Sequence, residues 1–360
     1  MAGQPLSERE ELINWLLASL AFTNRTVNPN RTRVLAHLVP KDTDAGRFAA
    51  QCSTVALAPL AMYETLRSEA QTLLHDARTT LYDRLELLHF VAMSYNWQRE
   101  YRLALDTIER ALPEFDHEEF PIPHASLLMV LSVALRETGD AAGFLDHTMS
   151  AIDIYRRNDF PNGVGTGLIS LAIAASARGD FERAKADCLE ALAIFREVGV
   201  RTNEAFALGN MGLYCLSTGD DEQGEAYLNQ AIGIGRDIGA PRVFLAYAIH
   251  LAEAWILAIR RKVADIRSAR CDQADRAKLH ESLALLAELE PKIPRRDDFT
   301  WNDLLLLRAV CEHLLGLCED ARTHAAQALE LESTIASDKG LRILRVDELL
   351  ADARIIAGQE

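Results

Sequence analysis

The chain has 360 residues, enough for two ordinary domains or one long repeat array. Its 38 Lys and Arg stand against 53 Asp and Glu, and the formal charge of −15 argues against general affinity for nucleic-acid phosphates or anionic membranes. Cys52, Cys188, Cys215, Cys271, Cys311 and Cys318 show no ligand-like spacing and no leader-type pattern opens the chain, so a reducing cytoplasm is expected, with no cofactor, metal or disulfide.

Helical apolar patterns near 8–22, 46–57 and 60–77 fill the first eighty residues without a register-matched repeat, so residues 1–80 are expected to be degenerate repeats or a helical cap. The early apolar stretch Trp15–Phe22 falls well short of the roughly 20 residues a spanning helix needs. A forty-residue period follows: Gly139-Asp140, Gly179-Asp180 and Gly219-Asp220 are evenly spaced, and Arg99-Glu100 continues the series without its glycine. Before these turns apolar residues recur every three or four positions, as in Leu168, Leu171, Ala172 and Ala175. After them the same spacing appears in Phe181, Ala184, Cys188, Ala191, Leu192 and Phe195, so each period predicts a pair of helices. The glycine supplies a positive-φ helix stop and the aspartate an N-cap acceptor.

Three irregular stretches invite chemical readings. Residues 113–124, PEFDHEEFPIPH, carry three prolines and predict a long loop, on which Asp116, His117, Glu118 and Glu119 form a solvated acidic run and not a metal set. NGVGTGL at 162–168 imitates a phosphate loop, but no strand precedes it and its register is that of a first helix. Cys311, His313 and Cys318 sit within eight residues, but on a helix His313 points about 200° away from Cys311, and no nucleophile has a recognisable base nearby in sequence, so no catalysis is expected.

The period breaks after Gly219. Trp255 keeps its register, but the next turn is displaced to about Cys271-Asp272 by the segment IRRKVADIRSARCDQADRAK. Its Arg260, Arg261, Lys262, Arg267 and Arg270, followed by Arg276 and Lys278, are a second candidate patch for an acidic partner or phosphorylated ligand, or a solvated helix extension.

Small residues at fixed places around the turns resemble the tetratricopeptide repeat: Gly212, Gly219, Gly224 and Ala231, then Ala172, Gly179, Ala184 and Ala191. The upstream units match less completely, Ala92, Arg99, Ala104 and Ala111 lacking the glycine and Ser132, Gly139, Phe144 and Ala151 departing at Phe144, while Ala309, Gly316, Ala321 and Ala328 fit another copy. The family repeat is about 34 residues, so the chain resembles a long-repeat variant such as occurs in bacterial regulatory and signalling modules. The resemblance implies an all-α, right-handed superhelical solenoid of helical hairpins. Four regular repeats are expected over 81–240, an irregular repeat with the basic insertion over 241–297, and a repeat with a capping helix over 298–360.

It further implies a non-catalytic cytoplasmic scaffold or adaptor that binds a protein or peptide segment, with no nucleic acid or membrane partner. The alternative is the sensory module of a signalling protein: a peptide-responsive regulator, or one serving a diguanylate cyclase or transcriptional output. Binding in this family uses the first helices, which line a concave face. That places His89, Phe90, Met93, Asn96, Trp97, Met129 and Arg136 on the site, then Thr166, Ser170, Phe206, Asn210, Leu213, His250 and Glu253.

Overall fold

The computed structural model describes residues 8–24, 29–58, 62–114, 117–263, 265–268, 271–293, 298–335 and 346–358. From Gly139 to Gly239 a residue with left-handed backbone recurs every twenty positions: Gly139, Asp159, Gly179, Gly199, Gly219 and Gly239. The forty-residue period is therefore two equal halves, each a helix of 17 or 18 residues and a tight turn. Arg99, φ 61°, takes the same left-handed conformation, so the repeat lacking its glycine keeps its turn. Asp140, Asp180 and Asp220 accept hydrogen bonds from the backbone N–H groups of Gly143, Arg183 and Gln223 at 2.9, 3.2 and 3.2 Å, a cap of about 1 kcal/mol each.

The helices are α1 (Glu8–Asn24), α2 (Pro29–His37), α3 (Asp44–Val55), α4 (Tyr63–Leu74), α5 (Leu81–Trp97), α6 (Tyr101–Ala111), α7 (Pro121–Thr138), α8 (Ala141–Arg157), α9 (Pro161–Ala177) and α10 (Phe181–Val198). They continue with α11 (Arg201–Ser217), α12 (Asp221–Asp237), α13 (Pro241–Arg261), α14 (Gln273–Leu289), α15 (Asp298–Leu315), α16 (Cys318–Ile335) and α17 (Val346–Ala357). No strand occurs among the described residues, and the fold is all-α. Packing divides the chain into two compact units, residues 1–204 with 236–242 and residues 205–235 with 243–360.

In the first unit, each helix packs on the next and, in several places, on the one after that. Thus α1 meets α2 and α3, α5 meets α6 and α7, and α7 meets α8 and α9. Among the described residues α1 to α4 follow this order too, α2 meeting α3 and α3 meeting α4, although their sequence shows no register. The loop expected over 113–124 is shorter than its prolines suggested. Pro121 stands at the first position of α7, where a missing N–H costs nothing. The glycines of NGVGTGL serve close packing: a Cβ on Gly163, Gly165 or Gly167 would lie 2.5, 2.6 or 2.4 Å from Tyr155, Phe195 or Ile152. Ala104, Ala151, Ala184 and Ala191 are fully buried at helix crossings.

In the second unit, α11 and α12 cross at Gly212 and Gly224, and Gly209 admits the Tyr247 ring of α13 against the α11 backbone. Asp272 caps α14, and Gly316, φ 86°, turns α15 into α16, with Ala309, Ala321 and Ala328 fully buried between them. Helix α17 packs on both α15 and α16. Residues Val243–Arg261 of α13 are long and apolar enough to cross a membrane, with a mean hydropathy of 1.5, and most of that surface is buried within the protein. A core helix of a globular protein has the same composition.

Candidate partner-binding site

Because the first helices repeat every forty residues, side chains at one register position line up on neighbouring helices. In the first unit Met93, Val133 and Ile173 occupy one such row on α5, α7 and α9, and all three are half-buried. Beside them Ser126 is half-buried and Thr166 exposed, with the Thr166 hydroxyl turned back to Asn162 O at 3.0 Å. The row is an apolar ridge with a hydroxyl-bearing margin.

Other expected contact residues of this unit also make contacts within the fold. Phe90 and Trp97 pack against Leu57, Ala58 and Leu66 ahead of and within α4, and the Trp97 ring lies 5.4 Å from Tyr63. Asn96 Nδ2 donates to Val130 O at 2.9 Å, tying α5 to α7, and its Oδ1 is enclosed without a partner. Met129 and Ser170 are buried. Arg136 pairs with Glu137 at 2.7 Å and lies over the Phe144 ring. His89 meets Phe90 edge-on, with its Nδ1 enclosed and unpartnered, and burial pushes its pKa down to about 4.

The asparagine pair Asn162 and Asn203 was not among the expected site residues. Asn203 Nδ2 donates to Asn162 Oδ1 at 2.8 Å, joining the starts of α9 and α11. The separation of 41 positions was the available signal, but amides carry no weight in an apolar pattern.

In the second unit Phe206 stands against Tyr247, whose hydroxyl donates to Phe206 O at 3.1 Å. Asn210 and Leu213 are half-buried on the same helix. His250 Nδ1 lies 3.3 Å from Glu253, a carboxylate buried in the α13 surface. The basic segment is largely engaged internally. Arg260 is held by Asp352, Lys262 by Asp275 at 2.6 Å, and Lys278 by Glu225 at 3.0 Å, with its ammonium 3.8 Å from the centre of the Trp255 ring. Arg261 and Arg267 are exposed, and Arg270 lies outside the described residues.

Among the described residues no cluster of three His, Cys, Asp or Glu side chains has the geometry of a metal site. Asp116 lies outside them. Burial pushes the Cys188 and Cys311 thiols up to about 12, so neither supplies a thiolate near neutrality.

The paired helices and left-handed turns define the class, an all-α helical-repeat protein. Residues 163–237 match the model of the tetratricopeptide repeat, so that stretch carries tetratricopeptide repeats. No curated protein matches the sequence. Among solved structures it is similar to a Rap protein complexed with competence and sporulation factor, at 14% identity over 97% of each chain and a TM-score of 0.58. The apo form of RapI matches 81% of this chain and 99% of its own at 12% identity, TM-score 0.51. A signal-transduction ATPase with a tetratricopeptide-repeat sensor, from Pyrococcus horikoshii, matches 93% of this chain and 53% of its own at 14% identity, TM-score 0.56. At such identities the likeness is one of fold.

Proposed function

We propose that the protein is a non-catalytic regulatory module of the cytoplasm that captures a protein or peptide segment on the first-helix face of its first unit. The observation that carries this reading is the row Met93, Val133 and Ile173, three partly exposed apolar side chains at one register position on successive helices. A partner segment laid across α5, α7 and α9 would bury that ridge. Asn162 Nδ2 and Asn203 Oδ1, which the bond between the two amides does not use, would serve its main chain as donor and acceptor. Regulation is preferred to passive scaffolding because one fold neighbour of nearly equal length is a Rap protein complexed with competence and sporulation factor, and another contains a tetratricopeptide-repeat sensor.

The test is the double variant Val133→Glu and Ile173→Glu, compared with the wild type for partner capture from native extract by quantitative mass spectrometry. Capture should fall at least tenfold, since charge placed in an apolar contact costs about 2 kcal/mol or more, while helical content by circular dichroism stays the same. Unchanged capture in that variant, together with loss on Arg261→Glu and Arg267→Glu, would move the site to the basic segment.

A further inference from the structure

Helix α17 docks through Leu349, Leu350, Ala353 and Ile356, an apolar face at helical spacing, and at the margin of that face stands Asp352, 4% exposed. A carboxylate there is a poor choice for adhesion, because burying it forfeits hydration that an apolar side chain would never have had. Its partner explains it. Arg260, near the end of α13, donates from Nε to Asp352 Oδ2 at 2.7 Å and from Nη2 to Oδ1 at 2.8 Å, a two-point fork across 92 positions of sequence.

The third arm of the same guanidinium, Nη1, donates to Val263 O at 2.8 Å, at the start of the excursion between α13 and α14. Three residues on, Ile266 is buried, its carbonyl lies 2.9 Å from His313 Nε2 of α15, and the 3-10 turn Ile266–Ser268 packs against α17. One side chain thus holds both helix α17 and the backbone at Val263.

We propose that Arg260 and Asp352 form a latch that sets the register of α17 and couples it to Val263 and the turn Ile266–Ser268, so that the helix and that turn open and close as one element of the second unit. A fork accepts only one position of the carboxylate, whereas an apolar face alone would tolerate sliding by a turn. The pairing also leaves Arg260 only partly exposed, while Arg261 and Arg267 are exposed.

Hydrogen exchange read by mass spectrometry on the full chain tests this, with Asp352→Asn, which keeps the side-chain volume, and Arg260→Leu. Each change should raise exchange at least tenfold in both α17 and the turn 266–268, while α15 keeps its protection. Arg260→Lys, which retains charge but not the fork, should produce a smaller rise in the same two places. The latch is overturned if either change loosens only its own segment, if Arg260→Lys leaves exchange unchanged, or if α15 loses protection along with α17, which would make the pair part of the general core.

Discussion

In hairpin α11/α12 the crossing is made by Gly212 and Gly224, where an added Cβ would lie 3.0 and 3.1 Å from the carbonyl oxygen of the other glycine. In hairpin α7/α8 the same two register positions hold Ser132 and Phe144, both buried. Four residues after these positions the sizes exchange: Leu228 follows Gly224, whereas Thr148 follows Phe144, and all of these side chains are enclosed. Hairpin α9/α10 takes an intermediate course with Ala184 and Cys188. What the repeat conserves is filled volume between two helices, not a small residue at one place.

The most severe way to break this comparison is to empty the α7/α8 crossing. Phe144→Ala should cost about 3–5 kcal/mol by urea unfolding, because the surrounding helices relax only in part. Gly224→Ala should cost about 1–3 kcal/mol for the opposite reason, crowding. If Phe144→Ala cost less than Gly224→Ala, the two hairpins would differ in rigidity and the shared-volume account would be wrong.

A second contrast lies on the first helices, where His89 occupies the register position of Met129 and Ile169. Burial holds its pKa at about 4 in the folded chain, below the ordinary value of 6.5, so the unfolded chain takes up the proton first as pH falls. Stability is therefore complete above about pH 6.5 and should decline by up to about 3 kcal/mol between there and pH 4. His89→Met should flatten that part of the pH profile in denaturant titrations. An unchanged slope would assign it to other groups.

The turns sharpen the comparison most gently. Arg99 and Asp159 hold φ at 61° and 51° where the neighbouring repeats use glycine. Arg99→Gly or Asp159→Gly should each raise stability by about 1 kcal/mol, and Gly179→Ala should lower it by a similar amount. A loss on Asp159→Gly would mean that its side chain contributes more than its backbone strain costs.

Much of this architecture was legible in the chain. The Gly-Asp turns and their caps involve residues within four positions of one another, and the buried alanines follow the forty-residue period. The packing of the helices before residue 80 was not legible as a repeat, since α2 has only nine residues and no glycine turn marks a register there. What Phe90 and Trp97 pack against was not legible either, because Leu57, Ala58 and Leu66 stand in no repeat register that sequence could have aligned with those rings.

By itself, then, the sequence determined the helices, their turns and the alternation of first and second helices, all set by local geometry or by contacts one period apart. Only the tertiary structure decided which first-helix side chains face outward and which are consumed within the fold. Asn96 is committed to Val130 O, 34 positions away, and Arg260 to Asp352, 92 positions away. Neither separation is a multiple of the forty-residue period, and a polar side chain takes whichever buried partner the packing brings within hydrogen-bond reach.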